Sequence, residues 1–265
     1  GDPAVVALGP GADPGLLGRR VLVRPNMRPA GFGSLENVWL GVDFDGAFAQ
    51  FLTVPVSEAF PVRTDLDDTE LAALPCAAGT ALNLVRRAGV AAGDRVIVTG
   101  ASGGVGSIAV QLAARRGAHV VAVAGRAKSE AVRALGAETV VGRDADLVAE
   151  LGARSCDVVL DTVAGPGFPA LVELLGAGGR YAVCGAIAGP LVTLDTRDLY
   201  LRDLTMIGCT AWDEPVFPEL VEAVERGELR PLVAAVLPLE RIADAQAAFA
   251  SKRHVGKVVL VPPAP

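Results

Sequence analysis

A chain of 265 residues that is 51% hydrophobic and 20% charged can bury a substantial core, and its length suits one large or two ordinary domains. Its formal net charge of −6, with Lys and Arg scattered and never in more than a pair, excludes a general attraction for nucleic acid or an anionic membrane. No stretch approaches the roughly 18 uninterrupted apolar residues of a membrane span, and the first residues lack the basic-then-apolar layout of a signal peptide, so a cytoplasmic protein is expected.

Residues 1–77 are rich in Gly and Pro. Short apolar runs at 5–8, 21–23 and 51–54 stand between turn signals such as Gly9-Pro10-Gly11 and Pro29-Ala30-Gly31, which reads as an all-β segment. From 78 to 212, short β-branched runs alternate with helical patterns, as successive βαβ units do. Runs at 96–99, 120–124, 139–141, 158–163, 181–184 and 205–209 make six candidate strands, the number in a complete doubly wound dinucleotide-binding domain. Residues 213–265 read as two amphipathic helices and a last strand near 258–261, with Phe217, Leu220, Val221 and Val224 at the spacing of a buried stripe. The four cysteines, Cys76, Cys156, Cys184 and Cys209, are far apart and form no C-x-x-C pair, so neither a disulfide framework nor a zinc knuckle is expected.

The informative motif is Thr99-Gly100-Ala101-Ser102-Gly103-Gly104-Val105-Gly106, between a strand and a helix whose Val105, Ile108, Ala109 and Leu112 share one face. A dinucleotide pyrophosphate must approach backbone N–H groups at a helix N-terminus, so side chains are intolerable there, while the helix end supplies partial positive charge. Residues Ala101, Ser102, Gly103, Gly104 and Val105 are therefore candidate cofactor contacts, with Gly106 allowing close packing of helix on strand. Ala101 stands where the dinucleotide fingerprint usually has its first Gly. The alternative is a tight strand-to-helix turn without a ligand.

The end of the second strand bears on cofactor choice. An acidic residue about twenty positions beyond the glycines normally binds the ribose 2′-hydroxyl of NAD. Here the strand runs into Gly125-Arg126-Ala127-Lys128, and Gly125, Arg126 and Lys128 would suit the dianionic 2′-phosphate of NADPH, a solvated basic turn being the alternative.

Taken together, residues 71–257 resemble the medium-chain dehydrogenase/reductases, in particular the branch of quinone oxidoreductases and alcohol-dehydrogenase-like reductases. The resemblance rests on Leu74-Pro75-Cys76 leading to Thr80, the 100–106 loop, Ala134-Leu135-Gly136-Ala137, the run 157–162, Gly178-Gly179-Arg180 and Gly256-Lys257-Val258-Val259-Leu260. Val5-Val6-Ala7-Leu8-Gly9-Pro10-Gly11, Gly18-Arg19-Arg20-Val21 and Asp45-Gly46-Ala47-Phe48-Ala49 are similar to parts of the family's GroES-like substrate domain. The implied fold is α/β: a Rossmann doubly wound parallel sheet over 78–212, and a partial GroES-like β domain from 1–77 with 213–265, in which the last strand pairs with the early segment. The resemblance places Thr80 beside the nicotinamide ribose, Gly185, Ala186 and Cys209 along the ring, and Lys257 toward the phosphates, the last against an even alternative of a solvated charge. It also implies a homodimer formed through the edge strand near 205–209. Asp161 reads either as a residue of the cofactor crevice or as a cap of its own turn.

The resemblance further implies that the chain lacks the opening strands of the substrate domain and the first zinc ligand of zinc-dependent members. Their second ligand, a His, would fall at or just before Gly1-Asp2-Pro3, and their third, a Cys, matches Cys76. Neither His119 nor His254 matches a ligand position, and one Cys cannot hold a catalytic zinc, so no metal is expected. Three readings follow. The first is an NADPH-dependent, zinc-independent reductase of a quinone, enone or other carbonyl compound, with the proton donor unassigned. The second is a zinc alcohol dehydrogenase with ligands elsewhere, and the third a nucleotide-binding interaction protein without turnover.

Overall fold

The computed structural model describes residues 4–263. The chain divides into two compact units, Gly1–Gly79 with Ala211–Pro265, and Thr80–Thr210. No helix among the described residues is long and apolar enough to cross a membrane.

The first unit opens with four short strands, β1 (Val21–Val23), β2 (Asn26–Met27), β3 (Val38–Trp39) and β4 (Ala59–Pro61). They form two separate antiparallel pairs, β1 with β4 and β2 with β3. Buried Arg24, just after β1, holds this region together: its guanidinium meets the Glu58 carboxylate at 2.6 Å and lies 5.0 and 5.5 Å from the rings of Phe32 and Phe60. The runs 5–8 and 51–54, expected as strands, are not strands. Val6 is 63% and Phe51 59% exposed and no residue of either run is fully buried, so β propensity here lacks the packing that makes a strand. Helix α1 (Asp68–Ala72) starts from a reciprocal cap between Asp67 and Glu70, and α2 (Pro75–Arg87) opens on a proline and ends on Arg86 and Arg87, as the helix dipole favours.

The second unit then alternates strand and helix: β5 (Arg95–Val98), α3 (Gly104–Arg115), β6 (His119–Ala124), α4 (Ser129–Arg133), β7 (Thr139–Gly142), α5 (Leu147–Leu151), β8 (Cys156–Asp161), α6 (Phe168–Leu174), β9 (Leu175–Val183), α7 (Thr196–Tyr200) and β10 (Thr205–Gly208). All six expected strands are present in one parallel sheet, in the order β10-β9-β8-β5-β6-β7. That is the doubly wound Rossmann order, with the switch point between β5 and β8. The central strands read as unbroken apolar runs because helices cover both faces; Val96 to Val98, Val120 to Ala124 and Val158 to Leu160 are all buried. β9 begins six residues before the expected 181, straight out of α6: Leu175 pairs with Cys156 and Arg180 with Val158 of β8, and Gly176-Ala177-Gly178-Gly179 form the irregularity between them.

The chain returns to the first unit with α8 (Val216–Glu225), β11 (Val233–Pro238), α9 (Ile242–Ala250) and β12 (Lys257–Val261). Two expectations are corrected here. β12 pairs in parallel with β11, Val236 opposite Val259, and among the described residues not with any of 4–77. The intervening α9 makes β11 and β12 a local βαβ crossover, which closes more cheaply than a pairing across the whole chain. Trp212, assigned above to the Rossmann stretch, belongs to the first unit, its indole edge-on to Trp39 at 5.5 Å and stacked on Phe217 at 6.1 Å.

Candidate dinucleotide site

The Gly-rich turn leaves β5 and enters α3 along the expected path. Gly100 has φ +58, and a Cβ there would overlap the Thr162 hydroxyl. Gly106 lies against the turn's own backbone, where a Cβ would come within 2.8 Å of Ala101 Cα. These two positions require glycine; Gly103, in extended conformation as the N-cap of α3, has its nearest neighbour at 3.3 Å. Ala101 is tolerated where relatives of the fingerprint use Gly because its φ is not positive; its Cβ is buried and its N–H donates to the Val123 carbonyl at 3.2 Å. The first-turn N–H groups of a helix lack intrahelical acceptors, so α3 offers Gly104, Val105 and Ser102 beside them as an anion cradle.

A second cluster forms where β6 and β7 end. Gly125 precedes a 3-10 turn over Arg126–Lys128, with Arg126 exposed and Lys128 half-buried. Burial, and then the neighbouring Arg143, holds the Lys128 ammonium below the ordinary lysine range. Arg126 lies over Gly142, its Nε 3.5 Å from where a Cβ would stand, and the Arg143 N–H donates to the Ala124 carbonyl at 3.0 Å. Three cations thus gather at one corner of the sheet. Arg143 was missed by the sequence reading; the signal available was a Gly-Arg pair closing the strand that lies next to β6 in the doubly wound order.

A family model described as zinc-binding dehydrogenase matches residues 104–226. Among curated proteins, an acryloyl-coenzyme A reductase of Metallosphaera sedula is 32% identical over 227 residues, 82% of this chain and 66% of the relative. A solved structure from Sinorhizobium meliloti, provisionally assigned as an alcohol dehydrogenase, is 42% identical with a TM-score of 0.93, covering 98% of this chain and 74% of that one. The chain belongs to the medium-chain dehydrogenase/reductase superfamily of oxidoreductases. A further neighbour, the 2-octenoyl-CoA carboxylase reductase CinF from a Streptomyces species, solved with NADP and 2-octenoyl-CoA, is 30% identical with a TM-score of 0.86, over 94% of this chain and 64% of that one. This chain spans about two thirds of the length of the curated relatives it matches first, 66% in each of the first two.

For a member of this superfamily the remaining positions fall as follows. Gly185 and Ala186 directly follow β9, and a Cβ on Gly185 would stand 2.9 Å from the Thr162 carbonyl oxygen. Cys209 follows β10, buried, its N–H bonded to the Val183 carbonyl at 2.9 Å. Its neighbour on β9's extension, Cys184, has its thiol pushed up to about 12 by burial, then by Cys209 and Asp161. Thr80 is half-buried on α2, and Lys257 opens β12 in the first unit.

The residues at hand do not fit the superfamily's zinc. Cys76 is exposed at the start of α2, and no three His, Cys, Asp or Glu come together as a metal site would need among the described residues. The position matching the second zinc ligand, at 1–3, lies outside the described residues. The first unit does hold an open cleft of about 1080 Å³, lined by Leu40, Phe44, Phe48, Phe51 and Leu52 with Asp45 and Cys76.

Proposed function

We infer that this chain carries the cofactor-binding part of an NADPH-dependent, zinc-independent reductase whose substrate is an electrophile conjugated to a carbonyl group. The observation that carries the reading is the corner at the ends of β6 and β7, where Arg126, Lys128 and Arg143 converge and no Asp or Glu closes β6. Three cations that share one corner suit a dianionic 2′-phosphate through charge-assisted hydrogen bonds. NAD-dependent alcohol dehydrogenases are also among the relatives, but an NAD site calls for an acid where Gly125 and Arg126 stand.

The nicotinamide supplies the hydride, and the protein's part is to hold and orient it. Residues 101–105 would receive the pyrophosphate, Thr80 the nicotinamide ribose, and Gly185, Ala186 and Cys209 the ring. The acryloyl-CoA and octenoyl-CoA relatives favour an unsaturated acyl thioester over a quinone. The apolar cleft of the first unit suits an acyl chain. The exposed edge strand β10, with Thr205, Met206 and Gly208 open, supports a homodimer by sheet extension.

The test is a titration of the wild-type chain and Arg126→Ala with NADPH and NADH. NADPH should bind more tightly than NADH, and the substitution should weaken NADPH about tenfold to a hundredfold while leaving NADH nearly unchanged. Equal wild-type affinities for the two cofactors would overturn the assignment.

A further inference from the structure

Asp161 ends β8 and has no exposed surface. Its two carboxylate oxygens are met only by donors: Thr99 Oγ1 at 2.5 Å, the Val163 N–H at 2.8 Å, the Ala164 N–H at 3.1 and 3.2 Å, and the Tyr181 hydroxyl. An Asp that merely caps its own turn would bond Val163 and Ala164. Here two hydroxyls arrive as well, one from the residue after β5 and one from β9, the strands on either side of β8 in the sheet.

The segments so tied are those that border the switch-point crevice. On one side Thr162 donates its N–H to Thr99 Oγ1 at 3.0 Å and its hydroxyl to the Thr99 carbonyl at 3.1 Å, and that hydroxyl fills the space a side chain on Gly100 would take. On the other side the Val163 carbonyl accepts from Ala188 at 2.9 Å, and Gly165 packs on the Ala188 carbonyl, where a Cβ would stand 2.6 Å away. Between them Ala164 is held at φ 54, ψ −147, a region L residues rarely adopt and keep only where surrounding bonds over-determine it. Those bonds are the two from its N–H to Asp161.

We propose that Asp161 is the positioning residue of the cofactor crevice: by tying the ends of β5, β8 and β9 to one carboxylate, it sets the spacing between the 100–106 turn and the loops 162–165 and 185–188. The fit of the pyrophosphate and nicotinamide portions depends on that spacing, whereas the adenosine 2′-phosphate corner at β6 and β7 does not. The proposal rests on the dinucleotide reading above.

The experiment compares NADPH with adenosine 2′-monophosphate, which has the adenine and 2′-phosphate but neither pyrophosphate nor nicotinamide. Wild type, Asp161→Asn and Thr99→Val are titrated with both, with circular dichroism and thermal melting recorded alongside. Asp161→Asn keeps the shape and turns one acceptor into a donor facing donors; Thr99→Val removes the hydroxyl that links Asp161 to the turn. NADPH affinity should fall about tenfold or more in the first variant and less in the second, while adenosine 2′-monophosphate stays within about twofold. A purely structural Asp161 would lower the melting midpoint without separating the two ligands. Parallel loss of both ligands, or folded variants with wild-type NADPH affinity, would overturn the proposal, and Thr99→Val decides if Asp161→Asn does not fold. Wild type that binds neither ligand would instead overturn the cofactor reading, and this proposal with it.

Discussion

Gly79 yields the volume of its absent side chain to the indole of Trp212: a Cβ there would overlap the six-membered ring, with Cζ2 only 2.7 Å away. Trp212 is itself fully buried, its N–H held by Asn26 Oδ1 at 3.0 Å and its carbonyl by the Arg28 guanidinium at 2.6 Å. Those bonds fix the Trp212 backbone, and the ring itself is bounded by Trp39 edge-on at 5.5 Å and Phe217 stacked at 6.1 Å, so it has little room to swing aside. Gly79→Ala should therefore destabilise the protein by about 1–3 kcal/mol and lower the melting midpoint by several degrees. Tryptophan fluorescence should report the displacement, since Trp39 and Trp212 are the only two indoles. An unchanged melting curve would contradict this packing.

Gly106→Ala should disturb the Gly-rich turn directly, because the added carbon would meet the backbone of Gly100 and Ala101, which cannot rotate away as a side chain can. Thermal stability and NADPH affinity should fall together, the affinity by roughly tenfold or more. Gly167→Ala, at φ −75 with nothing within 4 Å of its Cβ position, is the control and should alter neither. The pair is read by melting curves and by cofactor titration.

Arg143 should behave as a third, weaker cation for the 2′-phosphate. Its side chain is 66% exposed and within 3.7 Å of Asp144, so screening limits its effect. Arg143→Ala should weaken NADPH by about threefold to tenfold and flatten the dependence of NADPH affinity on salt. NADH affinity should not move. A loss of NADH binding equal to that of NADPH would mean that Arg143 acts on the fold of the corner.

The cysteines should separate by reactivity. Burial pushes the thiols of Cys156 and Cys184 up to about 12, so their thiolate forms stay scarce through mild alkali, while Cys76 is exposed. Iodoacetamide at pH 8 followed by peptide mass spectrometry should find Cys76 modified well before Cys156 or Cys184. The sign for stability follows from the same shift. These thiols favour the folded state fully below the ordinary thiol value of 9.0, and that contribution is lost as pH rises toward about 12. Labelling of Cys184 as fast as Cys76 would contradict the burial.

Much of the second unit was legible in the sequence because its information is local. Val96 to Val98 and Val120 to Ala124 are continuous apolar runs that only a strand covered on both faces would carry, and the 99–106 motif has to be a turn between strand and helix. The first unit was harder to read. Residues 5–8 and 51–54 have the composition of strands but form no ladder, Val5 alone exchanging backbone bonds with 18–19, and β11 is a short run that alternates between half-buried and exposed positions.

Cofactor corner and crevice show the same division within the site. Arg126 and Lys128 adjoin their strand in sequence and could be named from it, whereas Arg143 joins them only because β7 lies beside β6. Asp161 was ambiguous for the same reason, since the hydroxyls that single it out come from Thr99 and Tyr181, 62 and 20 residues away. By itself the sequence determined which segments of the second unit are strands, where the glycine turn lies and which superfamily the chain resembles, because periodicity and glycine placement act over a few residues. Only the tertiary structure decided which strand ends stand side by side, because the order of strands in a parallel sheet is set by long-range packing and hydrogen bonds that no local pattern records.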